Sequence, residues 1–139
     1  MPMVEVNFLA VTVAAVLYMM IGFVWYSPGV LGESWMKAAG KTKHEIGKTP
    51  SGKMRNIYLL TFIGALVMSY VLAIFIFYIH ATSFSQGVQV GFWLWVGFVA
   101  TTSSGSYLFE GRSPKIYIIN NGYNLLALMM MGALLAVFS

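Results

Sequence analysis

Apolar residues along this chain are gathered into four long blocks, and every charged side chain lies before the first block or between two of them. Val6 to Gly32 (27 residues), Asn56 to Ile79 (24), Ala81 to Phe109 (29) and Ile116 to Ser139 (24) carry no charge at all. A helix needs about 20 apolar residues to cross a hydrocarbon core of about 30 Å. Each block is long enough. The pattern predicts an all-α polytopic membrane protein, a single domain over residues 1–139, with transmembrane helices near Asn7–Tyr26, Tyr58–Ile79, Val88–Tyr107 and Ile116–Phe138.

The first block ends at Ser27-Pro28-Gly29, because proline disfavours helix in the residue before it and cannot donate a backbone hydrogen bond. Leu31 to Ala39 then reads as a short interfacial helix with Leu31, Trp35 and Ala38 on one face. Gly40 to Lys53 has no apolar face to bury and is expected as a loop, part of a basic stretch over 37–55. The N-terminus lacks the positive leading region of a secretory signal and carries Glu5, so it is expected to be retained.

Composition agrees with the pattern: 59% of the chain is hydrophobic and only 9% charged. Soluble domains carry roughly 25% charged residues. The cations fix an expected orientation, since Lys37, Lys41, Lys43, Lys48, Lys53 and Arg55 lie in the first loop, Arg112 and Lys115 in the third, and none in the second. By the positive-inside rule loops one and three are cytoplasmic and both termini outside, in a multi-pass protein of the cell membrane. The basic first loop is expected to attract anionic lipid. It is too short, and too poor in interleaved aromatics, for nucleic acid.

Polar residues inside the blocks are the candidate chemistry. Thr101, Thr102, Ser103 and Ser104 end the third span, and Asn120, Asn121 and Asn124 fall within about 100° on the fourth, one to two turns from its start. Trp25, Tyr26 and Ser27 end the first span at the same level. Two readings fit these groups. They hydrogen-bond across helices, as amides and hydroxyls in hydrocarbon do, or they line a wet pocket open to the cytoplasm. Glu110 and Arg112 flank a glycine and pair across the turn, anchoring the hairpin at the interface, or else Glu110 serves a substrate.

The chain has no cysteine, and His44 and His80 fall on opposite sides of the membrane, so no metal site or thiol chemistry is expected. No phosphate loop, nucleophile elbow or HExxH motif is present. The sequence therefore points away from an enzyme and from a cofactor. It points to a protein that binds or transports a small molecule or lipid at a cytoplasm-facing polar site, with a structural or accessory subunit as the competing reading. Gly87-xxx-Gly91 and Ala65-xxx-Ser69-xxx-Ala73 are close-packing faces for a neighbour in the chain or for a second copy, and a homodimer is expected.

Two stretches resemble a known family. Gly22-Phe23-Val24-Trp25-Tyr26-Ser27-Pro28 through Trp35-Met36, and Leu108-Phe109-Glu110-Gly111-Arg112 through Asn120-Asn121-Gly122-Tyr123, are similar to the N- and C-terminal signatures of the membrane family called domain of unknown function 1761. The resemblance implies a small four-helix membrane protein of unassigned activity. It draws attention to Trp25, Tyr26, Pro28, Trp35, Glu110, Arg112, Asn120 and Tyr123. Asn121 stands where the pattern leads one to expect a small residue such as alanine.

Overall fold

The computed structural model describes residues 6–27, 29–40, 51–111 and 113–138. Among them the regular structure is entirely helical. In chain order it comprises α1 (Phe8–Trp25), α2 (Gly32–Ala39), α3 (Ser51–Ile79), α4 (Phe84–Leu94), a π-helical segment (Trp95–Ala100), α5 (Thr101–Glu110) and α6 (Pro114–Val137).

Local chemistry sets the helix ends. Asn7 caps α1 by accepting the Ala10 amide, and its own amide reaches the Phe138 carbonyl at 3.3 Å. That bond ties the start of the first helix to the end of the last. Beyond Trp25 the chain doubles back so tightly that a Cβ at Gly32 would lie 2.3 Å from the Tyr26 carbonyl, so only glycine allows α2 to start there. At the far end of α3, His80 takes a left-handed conformation (φ 62°) while the Ala81 amide reaches back to the Ile76 carbonyl. This closes the helix in a Schellman-type cap. Ser83 and Gln86 then form a capping box for α4. Gly111 (φ 67°) ends α5, and Ser113 caps α6 ahead of Pro114.

The basic loop is shorter than its composition predicts. Helix α3 starts at Ser51, so Lys53 and Arg55 ride on its first turns, and residues 41–50 of the expected loop lie outside the described residues. A helix of 29 residues is roughly 44 Å long. That exceeds the hydrocarbon thickness by several turns, which leaves room for both cations at the headgroups. Phe8–Trp25, Gly52–Ile79 and Pro114–Val137 are long and apolar enough to cross a membrane. The remaining apolar block runs through α4, the π segment and α5 without a non-helical residue between them.

Helix α6 is the central element, buried along most of its length and packed against α1, α3 and α4. Its closest neighbour is α4. A Cβ at Gly87 would sit 2.2 Å from the Gly132 carbonyl oxygen, and one at Gly91 2.3 Å from that of Leu128. The two backbones touch, with Gly132 completing the contact from the other side. On α3, the fully buried Ser69 hydroxyl donates to the Val11 carbonyl at 2.8 Å. Both small-residue faces read from the sequence thus serve neighbours within the chain. Leu72, Ile76 and Met131 fill the remaining core, whereas Leu9, Leu60, Trp93, Phe98 and Ile118 point outward. The outside is as apolar as the inside, which water would not tolerate and lipid would.

Candidate functional site

Polar side chains concentrate at the end of the bundle where α1 ends, α2 lies and α3 and α6 begin. Two indoles fix α6 there. Trp25 donates from its Nε1 to the Ile119 carbonyl and Trp95, from the π segment, to that of Asn121, each at 2.9 Å. Each carbonyl has a second lone pair, so these bonds need not break the helix. Gly122 gives the Trp25 ring its seat, since a Cβ there would stand 3.1 Å from the indole.

Asn120 is the centre of a relay. Its Oδ1 accepts the Tyr26 hydroxyl at 2.6 Å, and its Nδ2 donates to the Tyr107 hydroxyl at 2.8 Å. One amide thereby ties α1 and α5 to α6. The Tyr107 ring meets Tyr117 edge to face (5.2 Å between centroids), and the Tyr117 hydroxyl donates to the Ala100 carbonyl at 2.8 Å. One turn further, the Tyr123 hydroxyl donates to the Tyr18 carbonyl at 2.7 Å. It lies against Gly22, where a Cβ would come within 2.8 Å of it.

The three asparagines do not act together. Asn121 is turned into the protein, 2% exposed, with Nδ2 on the Tyr117 carbonyl at 3.1 Å and Oδ1 without a partner. Asn120 and Asn124 instead face an open-mouthed cavity of about 920 Å³. It is lined by Tyr18 of α1 and Tyr26 at its end, Trp35 and Met36 of α2, Ile57 and Tyr58 of α3, and Tyr123 of α6. Asn124 makes no hydrogen bond to another described residue, so its amide is available to an occupant.

The third-span hydroxyls stay apart from this cavity. Thr101 and Thr102 donate to the carbonyls of Gly97 and Phe98, and Ser104 to that of Thr101, all within their own helix. Ser103 is half-buried and does not line the cavity. Ser27 bonds the Val24 carbonyl at 2.7 Å. The expected Glu110–Arg112 pairing lies outside the described residues, because Arg112 does. Among the described residues no three metal-ligating side chains of the His, Cys, Asp or Glu type gather. The cavity wall holds no carboxylate, imidazole or amine. It can offer ring faces, thioether and amide, which suits binding better than proton transfer.

Tyr18 and Met36 line the cavity without being sequence candidates for it. A signal exists for Tyr18, because Tyr18, Gly22 and Tyr26 follow one another at intervals of four and so share a helix face. Tyr58 marks the expected start of the second span, at the same boundary as Trp25 and Tyr26, but nothing local says that it lies against Phe23 near the end of α1.

A family model described as a protein of unknown function (DUF1761) matches residues 9–136. Neither the curated proteins nor the solved structures give a significant match.

Proposed function

The chain belongs to the DUF1761 family, whose membership brings no activity with it, and from that premise we propose that it is a four-span membrane protein that binds a small molecule or lipid in the aromatic cavity. The observation that carries the reading is the cavity itself. It combines a volume suited to a small ligand with mostly apolar walls and an amide, that of Asn124, that makes no hydrogen bond to another described residue.

The remaining span, third in chain order, would be the run from Phe84 to Glu110, about 40 Å of unbroken helix, enough to cross beside the other three. Lys37, Lys53, Arg55 and Lys115 belong to the same end of the bundle as the cavity, which supports a cytoplasm-facing mouth. Anionic lipid would gather around that rim.

A second reading, a structural or accessory subunit, has its own support. The Asn120 amide is spent on Tyr26 and Tyr107, as in a group that only holds helices together.

Native mass spectrometry of the chain released from mild detergent separates the two, with wild type run beside Asn124→Leu. The binding reading expects an adduct of small-molecule or single-lipid mass on wild type that is lost from a variant of unchanged helical content. A bare chain in both preparations would overturn it.

A further inference from the structure

The walls of the cavity say more about its occupant than its size does. The Tyr26 ring stands nearly at right angles to two others: Tyr123 at 86° with centroids 5.5 Å apart, and Trp35 at 82° and 6.3 Å. Tyr18 leans on Tyr123 at 4.9 Å, and Tyr58 completes the lining from α3. Rings from four helices therefore meet around one space. The hydroxyls of Tyr26 and Tyr123 are engaged by Asn120 and by the Tyr18 carbonyl. Ring surface, the Asn124 amide and the hydroxyls of Tyr18 and Tyr58 are what these residues offer an occupant.

Aromatic faces carry negative electrostatic potential, strongest for tryptophan and tyrosine, and attract a cation brought within about 6 Å. Among the described residues the lining contains no lysine, arginine or histidine to hold an anion, and no carboxylate to replace the hydration shell of a metal ion. A quaternary ammonium differs from both: its charge is spread over methyl groups, it is weakly hydrated, and it has no N–H in need of an acceptor. Deepening the binding reading and resting on it, we infer that the cavity takes an organic monocation of the quaternary ammonium type, seated against the rings of Tyr26, Trp35 and Tyr123. A polar substituent on that cation would meet Asn124.

The test compares two molecules of nearly the same shape, 4-(trimethylammonio)phenol and 4-tert-butylphenol, in which a cationic nitrogen replaces a neutral quaternary carbon, in buffer acidic enough to keep both phenols un-ionised. Each is titrated against the full chain in detergent micelles and followed by tryptophan fluorescence and calorimetry, with wild type run beside Trp35→Leu and Trp93→Leu. Trp93 is exposed and outside the cavity. The cation is expected to bind wild type and Trp93→Leu at least tenfold more tightly than the neutral isostere, a difference of about 1.4 kcal/mol. Trp35→Leu should remove most of that preference while leaving affinity for the neutral molecule within about twofold. Equal or tighter binding of the neutral phenol by wild type would overturn the cation inference and leave the cavity as a site for uncharged ligands. If neither molecule binds, the cation inference fails, and the native mass spectrum alone then decides the binding reading beneath it.

Discussion

Adding one methyl group at Gly91 tests how this bundle is held together. Lipid tails are as apolar as leucine, so helices in a bilayer gain little by hiding apolar surface from one another, and close backbone packing has to hold them. In Gly91→Ala the new Cβ would lie 2.3 Å from the Leu128 carbonyl oxygen and 2.9 Å from the Met129 Cα, whereas ordinary contact begins at 3.4 Å. Both obstacles are backbone atoms, which no rotamer change can clear. Helix α4 must therefore move off α6 by roughly 1 Å, and a gap of that size forfeits a quarter to a half of the dispersion energy across the contact. Overpacking of this kind costs about 1–3 kcal/mol, against which alanine's better helix propensity returns up to about 1 kcal/mol. A net loss of about 1–2 kcal/mol is expected. Gly64→Ala is the control: it lies on α3 with nothing within 4 Å of its Cβ, so only the propensity gain applies and stability should hold or rise. Unfolding free energies from SDS titration in mixed micelles, followed by circular dichroism, give both values. Gly91→Ala as stable as wild type would refute the claim that the α4–α6 contact is made backbone to backbone.

Two further substitutions separate structural from available amides. Asn120→Leu removes the acceptor of the Tyr26 hydroxyl and the donor to Tyr107, and should cost about 1–3 kcal/mol. Asn124→Leu loses no hydrogen bond and should stay within about 0.5 kcal/mol of wild type in the same titration. Equal losses at the two positions would contradict the division of labour drawn between them. Asn121→Ala deletes a buried oxygen that has no partner, along with one bond to its own helix, so the change should be within about 1 kcal/mol in either direction. A loss above about 3 kcal/mol would mean that the Asn121 amide is better satisfied than its surroundings indicate.

The positions of the helices were legible because runs of apolar residues and their cap residues are local signals. Ser83 with Gln86, and Ser113 before Pro114, mark helix starts in the sequence itself. Which face of each helix turns inward was much less legible. A helix with lipid on one side and protein on the other is apolar all round, so periodicity carries little information, and only the small residues Gly87, Gly91, Ser69 and Gly132 betray the contacts. The start of α3 lies earlier than the pattern predicts for a related reason: Ser51 to Arg55 is mostly polar and reads as loop, whereas in the structure these residues form the first turns of a helix that outruns its apolar block.

The candidate site divides the same way. Asn120, Asn124 and Tyr26 stood out because polar groups are rare in such segments, and they do meet at one end of the bundle. Helical spacing put Asn121 in the same arc, yet a rotation of some 100° per residue is enough to turn it from the cavity into the protein. The hydroxyls from Thr101 to Ser104 were grouped with the asparagines by depth alone. Depth does not say that threonine and serine in a helix readily bond the carbonyl three or four residues back.

The proposed up-and-down bundle of four spans, with its aromatic cavity on the cytoplasmic side, is open to direct measurement because the sequence contains no cysteine. Single cysteines placed at Gly47, Ser85 and Lys115 are treated in intact cells with a membrane-impermeant maleimide, and again after permeabilisation. The account predicts labelling of the Ser85 variant in intact cells and of the other two only after permeabilisation. Labelling at 85 and 115 on the same side would mean that Phe84–Glu110 does not cross the membrane, and labelling at 47 but not 85 would turn the protein over.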